Sequence, residues 1–199
     1  MAQRRQGRYV FWRLAYEVLG QVHGAAPRAH LVPFALCALV LVPVAALAAH
    51  RLGRSLASAV LGALAGLALA VAVGLTLFRE GGQPGGLWRL RTCAVTDPVL
   101  LSGDGLANLA LFAPVAFLAV LAVGRPGRVV LGVASVSVAV EVLQALLNVG
   151  VCDSSDAVLN SVGGLGAALL AALLRAGFAW WRSFATPPVP GSDPCPRSC

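Results

Sequence analysis

An otherwise apolar stretch of the chain carries Ser137, Glu141, Gln144 and Asn148 at successive offsets of four, three and four residues. That spacing puts all of them on one face of a helix. A carboxylate within a membrane-depth helix costs on the order of 2 to 3 kcal/mol by insertion scales, so Glu141 reads first as a functional group. An interhelical hydrogen-bond anchor made with Gln144 is the competing reading. Asn108 follows Asp104 by four residues and Asn160 follows Asp156 by four. Taken alone, each Asn is a helix cap or a packing hydrogen bond. Taken with Asp153 and Asp156, these residues direct carboxylates and amides from several helices toward one level. Paired carboxylates serve as general acid and base, or share a divalent cation through oxygen ligands. The catalytic candidates are therefore Glu141, Asp153 and Asp156, and the substrate-binding candidates are Asn108, Gln144 and Asn160. Asp156 also suits the N-cap of the helix that follows it.

Residue types that are absent narrow the chemistry. The chain has no Lys, which removes a P-loop and a Schiff base. His23, His30 and His50 fall outside the polar cluster, against a Ser/His triad or a His-Glu-x-x-His zinc site. Cys195 and Cys199 lack nearby His or further Cys. No cofactor and no metal is expected.

Helices crossing a bilayer must position these groups. Of the 199 residues, 58% are hydrophobic and 12% charged, and the mean hydropathy is +0.82. Such a chain has lipid as its solvent. Apolar windows at 31–49, 55–78, 106–123, 129–147 and 157–174 are close to the length of a helical span. They are unbroken runs of Ala, Leu and Val rather than alternating segments, which excludes a β-barrel. The fold class is all-α, a polytopic transmembrane helical bundle of about five spans. Pro114 should kink the third span just below Asn108. Gly62-x-x-x-Gly66, and Gly163 with Ala167, supply small faces for close helix packing.

The organisation that follows is an Arg-rich head at 1–30 containing an interfacial helix, and a transmembrane hairpin at 31–78. An extracytoplasmic loop at 79–105, a three-helix membrane core at 106–176 and a disordered Pro-rich tail at 177–199 complete it. The formal net charge is +7, and every basic residue is Arg. Most of them lie near span ends, and none forms a run interleaved with aromatics, so nucleic acid is not an expected partner. Arg51, Arg54, Arg125, Arg128, Arg175 and Arg182 sit within a few residues of span ends, where the positive-inside bias is strongest. This predicts a multi-pass cell-membrane protein with its N-terminus outside and its C-terminus cytoplasmic. Cys93 and Cys152 then share an oxidising compartment and can form a disulfide, while Cys37 reads as a packing residue.

Asn108-x-x-x-Phe112-x-Pro114, Glu141-x-x-Gln144 and Asp153-x-x-Asp156-x-x-x-Asn160-x-x-Gly163 together closely resemble the signature of the VanZ-like membrane family. Two positions depart from it. Ala116 stands where relatives usually have Gly, and an aligned reading puts Gly150 where they usually have Arg. The founding members are associated with resistance to teicoplanin-type glycopeptides, so the resemblance implies an envelope role. The expected partners are membrane lipids and a lipid-linked cell-wall precursor or lipophilic glycopeptide. One reading is a protein that binds such a molecule in the outer leaflet. The others are a membrane hydrolase or transferase acting on it, and a structural partner of another membrane protein.

Overall fold

The computed structural model describes residues 27–53, 55–77, 103–147 and 153–185. They form six helices: α1 Pro27–Gly53, α2 Leu56–Leu77, α3 Gly103–Leu111, α4 Ala113–Val123, α5 Pro126–Leu147 and α6 Ser154–Ala185. With α3 and α4 counted as one pass, five segments are long and apolar enough to cross a membrane. The protein is an all-helical, multi-pass membrane protein. The interfacial helix expected in the head, the Cys93–Cys152 pairing, Cys195, Cys199, Asn148 and Gly150 lie outside the described residues.

Local chemistry explains where the helices begin and end. Ser55 stands one residue before α2, and its Oγ accepts the Ser58 N–H at 3.0 Å, a side-chain cap on an otherwise free donor. The third span breaks at Phe112, with Pro114 in the first turn of α4. Proline has no N–H to continue the α3 ladder, but it suits the start of a new helix. Gly124 closes α4 at φ 67°, and its N–H returns to the Val120 carbonyl at 2.8 Å. That left-handed conformation favours glycine, and Pro126 then opens α5.

Packing is inverted relative to a water-soluble protein. The buried apolar cluster consists of Ala72, Phe112, Val115, Ala116, Val120, Val133, Val140, Ala168 and Ala171, while many Leu side chains point outward. Lipid tails are as apolar as Leu, so helices associate by bringing small residues into contact rather than by hiding large ones. α1 and α2 meet through the predicted glycines. A Cβ on Gly62 would lie 2.6 Å from the Ala45 carbonyl oxygen, and one on Gly66 2.6 Å from that of Leu41. Ala72 of α2 joins the central cluster, so the core draws on the hairpin as well as on residues 106–176.

The last helix departs from the predicted span. It continues beyond Arg175 to Ala185, so helix occupies the first part of the segment read as a disordered tail. At about 1.5 Å per residue its 32 residues extend about 48 Å, against a hydrocarbon core of about 30 Å. The extension carries exposed Phe178, Trp180, Trp181 and Phe184. Trp180 and Phe184 meet edge to face at 4.7 Å, and the Arg182 guanidinium lies 4.7 Å from the Phe178 ring centre. Aromatic and basic residues suit the membrane–water interface. Helix therefore persists where an apolar window has ended.

Candidate functional site

The antiparallel passes bring the polar residues to one end of the bundle and the arginines of the short turns to the other. On α5, Ser137, Glu141 and Gln144 face inward, with Ser137 fully buried and Glu141 and Gln144 each 7% exposed. The Ser137 hydroxyl donates to the Ala157 carbonyl of α6 at 3.5 Å. The Gln144 amide donates from Nε2 to the Thr76 carbonyl of α2 at 3.2 Å. Thr76 lies in the last described turn of α2, so this bond ties α5 to α2 at the polar end. It also fixes the amide's orientation, leaving Oε1 on the other side without a partner.

The segment entering α6 folds back over Glu141. Its Oε2 accepts the backbone N–H of Asp153 at 3.0 Å. Asp153 in turn caps α6, with Oδ1 accepting from the Ser155 N–H at 2.9 Å and its carbonyl accepting from the Asp156 N–H at 3.2 Å. The N-cap is thus Asp153 rather than Asp156. That frees the Asp156 side chain for a different role: Oδ1 accepts from Asn108 Nδ2 of α3. One turn further along α6, Asn160 is 2% exposed, and its Oδ1 has no hydrogen-bond partner.

Gly163 makes this convergence sterically feasible. A Cβ there would collide with the α3 backbone, falling 2.7 Å from the Leu109 carbonyl carbon. Only a glycine lets α6 approach α3 closely enough for Asp156 to reach Asn108. All six predicted site residues gather at this end, drawn from α3, α5, the α5–α6 connection and α6. The Thr76 carbonyl was not anticipated. It acts through its backbone, so no side-chain pattern signals it. Among the described residues, no group of three or more His, Cys, Asp or Glu is arranged to hold a metal ion.

Chemically, Glu141 and the two unpartnered amide oxygens are buried acceptors. An unsatisfied buried acceptor costs about 1 to 3 kcal/mol. A group that donates N–H or O–H hydrogen bonds would recover that cost on binding.

Fold and cluster together define a polytopic membrane protein with a polar interior at one end. Residues 88–175 match the profile of the family described as VanZ/LLP1, and this part of the chain is similar to that family. The matched stretch includes α3 to α5, the connection bearing Asp153, and α6 as far as Arg175. No curated protein and no solved structure gives a significant match.

Proposed function

We propose that the polar cluster binds the headgroup of a lipid-linked or amphiphilic molecule in the outer leaflet, and that glycopeptide tolerance follows from sequestering or altering that molecule. The observation that carries this reading is the pair of buried, unpartnered oxygens, Gln144 Oε1 and Asn160 Oδ1, at the same end of the bundle as the buried carboxylate of Glu141. A purely packing role gives no reason to keep two acceptors unsatisfied at membrane depth. A ligand rich in hydroxyl, amide or ammonium donors gives one. Lipid-linked cell-wall precursors carry such groups on their sugars and peptides, and glycopeptides carry them too. The VanZ-like match supports the envelope context.

The test is teicoplanin susceptibility of Gram-positive cells expressing the intact chain or Glu141→Ala, with membrane levels matched through a C-terminal tag. Tolerance should rise with the intact chain and disappear in the variant. An unchanged susceptibility with both chains contradicts the tolerance reading.

The proximity of Asp153 to Glu141 also supports a second reading, a hydrolase or transferase using Glu141, Asp153 and Asp156 as acid or base. Glu141→Gln separates the two. A variant that still binds its ligand but has lost all turnover favours the enzyme.

A further inference from the structure

The opposite end of the bundle holds a second feature, independent of the polar cluster. α1 and α5 scarcely pack against one another, and a cleft of about 280 Å³ opens between them. Ala45, Ala48, Ala49 and Leu52 form its α1 wall, and Arg125, Arg128 and Val129 its other wall; Gly62, Ala65, Ala119 and Ala122 contribute to the floor from α2 and α4. From Ala45 to Leu52 the wall runs about 10 Å along the helix.

The apolar lining suits hydrocarbon, and the arginines suit an anion. Both Arg125 and Arg128 are exposed. The described helices carry Arg51, Arg175 and Arg182 toward the same end. Their acidic residues, Asp104, Glu141, Asp153 and Asp156, all belong to the opposite end. Two arginines in the wall of a hydrocarbon slot, both exposed and with no described carboxylate at that end, complement the phosphate of a lipid whose acyl chain occupies the slot.

We propose that this cleft seats an acyl chain of an anionic, phosphate-bearing membrane lipid, with the headgroup held by Arg125 and Arg128. A bound lipid there would fill the gap between α1 and α5 and fasten the N-terminal hairpin to the rest of the bundle. Arginine near an anionic membrane surface favours binding in a roughly additive way, so the pair should account for about thirty-fold in retention.

The test is native mass spectrometry of the purified full chain with added phosphatidylglycerol or phosphatidylcholine. It compares the parent with Arg125→Gln/Arg128→Gln and with Arg182→Gln/Arg197→Gln, which removes the same formal charge from residues that are not part of the cleft lining. The parent should retain one phosphatidylglycerol in preference to phosphatidylcholine. The first variant should lose that preference by about thirty-fold, and the second should keep it. Ala48→Leu, which narrows the cleft without touching a charge, should also lower retention. Soluble glycerophosphoglycerol, lacking acyl chains, should not displace the lipid. Equal retention of both lipids by the parent overturns the proposal. Equal loss in the two double variants, or displacement by the free headgroup, does the same.

Discussion

At the residue scale the cluster divides into groups that hold the fold and groups left with capacity to spare. Asn108 and Asp156 tie α3 to α6, and an interhelical polar contact of this kind contributes about 0.6 to 1.7 kcal/mol in a membrane protein. Asn108→Ala should therefore destabilise the purified chain by about 1 kcal/mol in a denaturant titration. Glu141 accepts a backbone N–H from Asp153, and a Gln amide oxygen can accept the same bond. Glu141→Gln should keep the folded yield and melting profile of the parent while removing tolerance. A collapse in folded yield would instead mark Glu141 as a structural anchor.

Among the elements, the decisive contact is that of α6 with α3. Gly163 has no room for a side chain against Leu109, whereas a Cβ on Gly166 of the same helix meets nothing within 4 Å. Gly163→Ala should cost about 1 to 3 kcal/mol as overpacking, and Gly166→Ala should be close to neutral. Paired thermal melts check the contrast. Equal effects would mean that helix propensity, not the α3–α6 approach, dominates. Much of this arrangement is legible in the sequence because it rests on spacing. Ser137, Glu141 and Gln144 share a face by their offsets, Gly62 and Gly66 announce a close approach, and Pro114 announces the break near Phe112. What stays hidden depends on backbone atoms and on reach. The Thr76 carbonyl reaches Gln144 through the packing of α2 against α5. The exchange of roles between Asp153 and Asp156 depends on how the connection turns over Glu141. The extra turns of α6 escape a hydropathy window because Trp180, Trp181 and Arg182 suit an interface better than a hydrocarbon core.

At the scale of the whole molecule, the described residues give the two ends different character: acceptor-rich at the level of Glu141 and basic at the level of Arg125. With the polar end placed outside, as the distribution of Arg near span ends predicts, single cysteines introduced as Ser154→Cys and Gly127→Cys in a chain otherwise free of Cys should differ in intact cells. An impermeant maleimide should label the first directly and the second only after permeabilisation. The reverse pattern overturns the orientation. Stability bears on the same architecture. The bundle coheres through small-residue contacts and a few polar ties, so an unsatisfied acceptor within it is a net loss to the fold unless a ligand completes it.

Thermal unfolding of the ligand-free, purified Asn160→Leu variant tests that claim most directly, because Leu keeps the branching of Asn and removes the unpartnered amide. If Asn160 is kept for a ligand, its removal should raise the melting temperature by about 2 to 4 °C for each kcal/mol regained. A melting temperature several degrees below that of the parent would show that Asn160 holds the bundle together, and would contradict a binding role for the cluster.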